Sequence, residues 1–192
     1  MERLKTIREE RKLRQTDIAN ILGINRSTYT SYEIERDTIP INHLNNLCNY
    51  FNISIDYAMG LNKIKQYKNN KLNIDRDLEC IRLKELRKNN HLTQIEIANF
   101  LNTSRSTWTG YEYGKYQIPT LLLFEISKKY HYSMDYLLGK IDENYLKCKI
   151  TTNQLTPNHN KNHKILWSVK GRFIWIKEYW QHANKKFLNY SF

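Results

Sequence analysis

Two short segments of the chain carry nearly the same polar side chains. Residues 25–33 are Asn-Arg-Ser-Thr-Tyr-Thr-Ser-Tyr-Glu, and residues 104–112, which lie 79 positions later, are Ser-Arg-Ser-Thr-Trp-Thr-Gly-Tyr-Glu. An arginine guanidinium can donate two hydrogen bonds to N7 and O6 of guanine, or it can pair with a phosphate. These side chains would therefore suit contact with a nucleic acid, provided that a rigid element presents them together.

A helix is the element that each segment predicts. Asn25 and Ser104 have side-chain oxygens that can accept hydrogen bonds from the free N–H groups at a helix start. From that start, Tyr29 and Tyr32 fall three positions apart on one face, and their counterparts in the second segment are also aromatic. The aromatic face would pack, which leaves the other face free for contact. The candidate contact residues on these helices are Arg26, Ser27, Thr30, Ser31, Arg105, Ser106 and Thr109.

The duplication extends well beyond these segments. Residues 4–60 align with residues 83–139 without a gap and share 22 identities in 57 pairs. Apolar residues recur every three or four positions, which predicts about five short helices per unit. In the first unit the predicted helices cover residues 2–11, 15–22, 26–34, 41–50 and 54–59. Gly23, and Asn102 at the equivalent position, are the residue types that best tolerate the left-handed conformation of a turn between two helices.

Two helices joined by a tight turn form a helix-turn-helix. The string Leu-x-Gln-x-x-Ile-Ala-x-x-Leu, followed by Arg-Ser-Thr-x-x-x-Tyr-Glu, occurs at residues 13–33 and again at residues 92–112. At these residues the chain resembles the lambda-repressor-like family of Cro/CI-type (XRE) DNA-binding domains. The resemblance implies an all-α fold of two tandem five-helix domains, followed by a C-terminal extension, and double-stranded DNA as the partner.

The resemblance also implies roles for other residues. Gln15 and Gln94 occupy a position that in the family contacts the phosphate backbone. The helices predicted at residues 25–33 and 104–112 correspond to the family's recognition helices, and Lys115 follows the second of them. Glu35 stands where the second unit has glycine, and an acid beside phosphates predicts weaker binding by the first unit. The first-helix arginines, Arg8 and Arg87, should pair with the glutamates that end the recognition helices and so have a structural role.

The chain has 192 residues with a formal charge of +12 and a pI near 9.5, which favours a polyanionic partner. We expect helix-turn-helix domain 1 at residues 1–62, a linker at 63–77, domain 2 at 78–140 and a basic aromatic extension at 141–192. If the linker were flexible, its root-mean-square reach would be roughly 23 Å.

Nothing in the sequence favours an enzyme. The six histidines lack catalytic partners at informative spacing, no glycine-rich phosphate loop occurs, and three widely spaced cysteines suggest neither a disulfide framework nor a metal site. We expect no cofactor and no metal. No apolar run approaches the roughly 20 residues of a membrane span, and the N-terminus does not look like a signal peptide, so a cytoplasmic location without membrane contact is expected.

The extension leaves three interpretations open. Apolar residues recur at three and four positions from Leu166 to Phe187, with basic residues around them. Residues 165–190 could form a homo-oligomerisation helix, a basic aromatic helix on a membrane surface, or a strand-containing or poorly ordered tail. The expected function is a sequence-specific, repressor-like transcriptional regulator. The alternative is a protein-interaction module, such as an antitoxin-like or anti-regulatory protein with an oligomerising tail.

Overall fold

The computed structural model describes residues 2–146, and every regular element in that range is an α-helix. The helices are α1 Glu2–Glu10, α2 Gln15–Leu22, α3 Arg26–Glu33, α4 Ile41–Phe51, α5 Ile55–Ala58, α6 Arg76–Asn89, α7 Gln94–Phe100, α8 Arg105–Glu112, α9 Thr120–Tyr130 and α10 Met134–Leu137. The predicted all-α fold of two five-helix units, α1–α5 and α6–α10, is confirmed. The predicted contacts of residues 165–190 lie outside the described residues.

The buried apolar side chains of the two units occupy equivalent positions of the repeat and belong to one core cluster. In the first unit the fully covered side chains include Leu4, Ile18, Tyr29 and Leu44, and Trp108 takes the place of Tyr29 in the second. Burying such side chains contributes about 1.5–3 kcal/mol each. The aromatic face of α3 and α8 therefore packs as predicted, and this packing sets which face of each helix points outward.

The turns between the paired helices have the predicted geometry. Gly23 has φ 64° and Asn102 has φ 50°, both in the left-handed region. This conformation ends α2 and α7 and lets the chain reverse within the three residues before α3 and the four residues before α8. The recognition helices α3 and α8 can therefore pack directly against the helices that precede them.

The segment between the units is an ordered connector, so the flexible-chain reach estimated from its composition does not apply. Its backbone is bonded to both units: the carbonyl of Lys65 accepts from Ser54 N at 2.6 Å, and Lys71 N donates to the carbonyl of Lys140 at 2.8 Å. Tyr67 is only 4% exposed. The polar composition of residues 63–77 concealed these contacts, and α6 already begins at Arg76, within that range.

Both units belong to one compact body, and they meet where α5 and α10 begin. The carboxylate of Asp56 accepts from Met134 N at 2.7 Å, and that of Asp135 accepts from the N–H groups of Ile55 and Asp56 at 3.2 and 2.8 Å. Asp56 and Asp135 are equivalent positions of the repeat, 79 residues apart. The contact is therefore reciprocal, as in the two-fold interface of a homodimer.

This interface is a buried polar network. Asp56 also accepts from the hydroxyls of Ser133 and Tyr67, and neither aspartate is exposed. Burial raises the pKa of Asp56, and burial together with the Asp56 charge raises the pKa of Asp135 to about 7. Nearby, the ammonium of Lys140 donates to the side-chain amide oxygens of Asn45 and Asn49.

Candidate nucleic-acid interface

The recognition helices begin where the sequence places them, but only one has the predicted side-chain cap. Ser104 Oγ accepts from Thr107 N at 3.0 Å at the start of α8. Asn25 makes no such side-chain bond at the start of α3, so that part of the prediction is wrong. Its carbonyl still accepts from Tyr29 N at 3.2 Å, which closes the first turn without help from the amide side chain.

The outward faces of α3 and α8 carry the same exposed side chains. Arg26 and Ser27 on α3 are exposed, as are Arg105 and Ser106 on α8. Thr30 and Thr109, one turn further along the same face, are half-buried. Their hydroxyls donate to the backbone carbonyls of Arg26 and Arg105 at 2.9 and 2.8 Å. These bonds leave the threonine methyl groups and the hydroxyl lone pairs as their contribution to the surface.

One candidate contact residue is covered. Ser31 is only 2% exposed, and its hydroxyl donates to the carbonyl of Ser27 at 3.1 Å while it accepts from the guanidinium of Arg36. Any contact with DNA at this place would therefore be made by Arg36, whose side chain is 69% exposed. Arg36 is not among the contact residues predicted from the sequence.

Gln15 and Gln94 connect each recognition helix to the helix before it. Their side-chain amide groups donate to the carboxylates of Glu33 and Glu112, each at 2.9 Å. Gln15 also accepts from the hydroxyl of Thr30 at 3.0 Å. Both glutamines are half-buried, and these internal bonds hold their amide groups against the recognition helix of their own unit.

A buried arginine–glutamate pair holds each recognition helix against the first helix of its unit. Arg8 binds Glu33 through two N–H groups at 2.6 and 3.1 Å, and Arg87 binds Glu112 in the same way at 2.5 and 3.2 Å. Burial by itself would raise the pKa of each glutamate, but the arginine and glutamine hydrogen bonds outweigh it and lower the pKa. The expected structural role of these pairs agrees with this geometry.

The second pair has one additional donor. Trp108 Nε1 donates to Glu112 at 2.8 Å, so this carboxylate accepts from three different side chains. In the first unit Tyr29 stands in the place of Trp108, and burial together with the nearby Glu33 carboxylate raises the pKa of its hydroxyl strongly.

Beyond the end of α8 the second unit has an aromatic ring where the first has a carboxylate. Tyr116 lies against the backbone of Gly110, because a Cβ added to that glycine would come within 2.6 Å of the ring. The ammonium of Lys115 lies 5.2 Å from the centre of this ring and is exposed. Tyr116 itself is 48% exposed. Lys115 is among the contact residues predicted from the sequence, and Tyr116 is not.

Residues 2–146 lack two other kinds of site. No group of three or more His, Cys, Asp or Glu side chains in this range could hold a metal ion. None of its helices is long and apolar enough to cross a membrane.

Comparison with known proteins supports the helix-turn-helix assignment. A family model described as a helix-turn-helix domain matches residues 1–63, and a second, described as helix-turn-helix, matches residues 83–137. The chain is 32% identical over 78 residues to the uncharacterized HTH-type transcriptional regulator YobD of Bacillus subtilis (strain 168); this match spans 41% of the chain and 70% of that protein. It is 38% identical over 58 residues to the uncharacterized HTH-type transcriptional regulator YqaE of the same organism, spanning 30% and 50%. No solved structure matches this chain significantly.

Proposed function

Because this chain belongs to the helix-turn-helix family of transcriptional regulators, we propose that it is a sequence-specific, repressor-like regulator whose two units bind one DNA site together. The reciprocal contact between Asp56 and Asp135 carries this proposal. It joins two equivalent units into one body, as a subunit interface joins the halves of a dimeric repressor. A single chain would then do the work of two subunits.

A fixed pair of recognition helices suits duplex DNA. Dimeric proteins of this type bind half-sites about 34 Å apart, one turn of the double helix, and a two-fold relation between the readers is matched by an inverted repeat in the site. The ordered connector and the buried interface would hold the two units in one arrangement before DNA is bound. Affinity would then not be reduced by the cost of ordering a free linker.

In this proposal the exposed side chains divide into two roles. Arg26 and Arg105 donate to base edges in the major groove, with Ser27 and Ser106 beside them. The remaining contacts position the protein on the phosphate backbone, and their residues are Gln15, Thr30, Gln94, Thr109 and Lys115. The protein would act on cytoplasmic DNA and require no cofactor.

Selection of bound duplexes from random DNA, using the full chain, tests the proposal. We expect an enriched site with two related halves, and one chain per duplex at saturation, as measured by sedimentation of the complex. The affinity should fall by about 10³-fold or more between 50 and 200 mM salt if six or more phosphates are contacted.

Other results would overturn the proposal. Failure to enrich any duplex, or binding that does not change with salt, would favour the alternative in which the units bind a protein partner. Saturation at two chains per site, with each chain protecting one half, would show that the two units of a chain do not share a site.

A further inference from the structure

The outward surfaces of α3 and α8 carry the same residues, arginine and serine, in the first turn of each helix, but they differ beyond that turn. Ser31 in the first unit corresponds to Gly110 in the second, and the residues that cover these positions also differ. Arg36 lies over Ser31, whereas the ring of Tyr116 lies on Gly110. The wall beside each recognition helix is therefore cationic in one unit and aromatic in the other.

In the first unit the cationic wall is built into the recognition surface. Arg36 lines a shallow groove together with Arg26, Ser27 and Thr30, so two guanidinium groups border the same groove. The bond to Ser31 fixes one end of the Arg36 guanidinium, the carboxylate of Asp37 lies 3.9 Å from its Nε, and the side chain nevertheless remains 69% exposed. An arginine held in this way has less conformational entropy to lose on binding than a free surface arginine.

In the second unit the same arrangement cannot form. A serine at Gly110 would meet the ring of Tyr116, because even a Cβ there would lie 2.6 Å from its Cδ2 atom. The side chain that precedes the ring is Lys115, whose ammonium is directed over Tyr116 at 5.2 Å from the ring centre. The surface next to α8 is therefore a flat ring with a phenol hydroxyl and one lysine ammonium beside it.

We propose that Arg36 and Tyr116 determine sequence specificity and make the two halves of the DNA site unequal; this inference rests on the proposed function. Arg36 contacts a guanine in the half bound by the first unit, because a guanidinium matches its N7 and O6 acceptors. Tyr116 presents its ring to a thymine methyl group at the equivalent base pair of the other half. The arginines and serines at the start of each recognition helix read the same bases in both halves.

An unequal pair of half-sites would give the protein one preferred orientation on its operator. A homodimer of identical chains has two identical readers and binds a symmetric site equally well in either direction. The duplicated chain does not have this constraint, because its two units have different sequences and each surface can differ from the other.

The test compares the wild type with Arg36→Ala, Tyr116→Ala and the control Lys115→Ala, which removes the cation equivalent to Arg36. Each variant is first checked for unchanged unfolding in urea. Binding is then measured on the enriched operator and on two symmetrised duplexes, each built from two copies of one half-site.

The Arg36→Ala variant should bind the operator at least about fivefold more weakly, which is the lower limit for loss of a bidentate base contact. It should lose its preference for guanine at one base pair of one half. Tyr116→Ala should change base preference in the other half only. Lys115→Ala should weaken all duplexes to a similar degree, because a phosphate contact carries no base preference.

Three results would overturn this inference and leave the proposed function standing. The first is enrichment of a perfectly symmetric site by the wild type. The others are equal effects of Arg36→Ala and Lys115→Ala without a change in base preference, and a single variant that changes base preference in both halves. If the wild type enriches no duplex, the proposed function fails, and this inference fails with it.

Discussion

The reciprocal interface can be tested by replacing Asp56 with alanine. Three donors from elsewhere in the fold would lose their acceptor: the backbone N–H of Met134 and the hydroxyls of Ser133 and Tyr67. All three residues are at most 4% exposed, so water cannot readily replace the carboxylate. The perturbation therefore acts on the contact between the units and on the connector that packs beside it.

The magnitude follows from the donors that are left unpaired. An unsatisfied buried donor costs about 1–3 kcal/mol. The backbone N–H of Met134 cannot reorient, so we count its full cost as an unsatisfied donor. The hydroxyls of Ser133 and Tyr67 can rotate, so we count only part of that cost for each. Removing a carboxylate whose pKa is raised by burial also relieves a desolvation cost. The net loss of unfolding free energy should be about 2–4 kcal/mol.

Urea unfolding measures this loss, with Glu125→Ala as the control because Glu125 is exposed on α9. The control should change the unfolding free energy by less than about 0.5 kcal/mol. Binding provides the second readout: Asp56→Ala should lose affinity for a duplex with both half-sites and keep its affinity for a duplex with one. An unfolding free energy within 0.5 kcal/mol of wild type, or equal losses on both duplexes, would refute our view of the interface.

Three further outcomes are expected. Arg105→Ala should weaken operator binding by about 1–3 kcal/mol and Arg26→Ala by less, measured by gel shift; equal or reversed losses would contradict this ranking. Arg87→Ala should lower the unfolding free energy by about 3–5 kcal/mol in urea, because it leaves the fully buried carboxylate of Glu112 without its cation. The raised pKa of Asp135 means that the folded state retains a proton that the unfolded state releases, so stability should fall as pH rises from about 4 through 7. Asp135→Asn should flatten that slope, and an unchanged slope would show that Asp135 is not the group that retains the proton.

Local signals made much of the fold predictable. The predicted helices at residues 15–22 and 26–34 correspond to Gln15–Leu22 and Arg26–Glu33, because apolar spacing and the turn glycine act over only a few residues. At the start of α7, Thr93 and Glu96 form a capping box, in which the Thr93 hydroxyl accepts from Glu96 N and the Glu96 carboxylate accepts from Thr93 N. In the first unit Arg14 supplies no side-chain cap, yet Asp17 still accepts from Arg14 N at 2.8 Å, so half of the box is retained.

The assignment of contact residues was predictable only in part. Spacing along α3 and α8 identifies the residues on the outward face, but it does not show what lies over them. Ser31 shares that face and is nevertheless covered, because Arg36 folds back from the following loop. Tyr116 likewise reaches Gly110 from the loop that follows α8.

The sequence by itself determined that two equivalent units exist, because identity at a fixed offset can be counted directly. It also determined where their helices lie and which face of α3 and α8 points outward, because helical periodicity depends only on nearby residues. Only the tertiary structure decided that Asp56 and Asp135 meet and that the connector is packed. An offset of 79 residues shows that two positions are equivalent but not that they touch. Contact between Asp56 and Asp135 depends on how the two units pack in three dimensions. The polar composition of the connector does not predict this packing, because the contacts of the connector are made by its backbone.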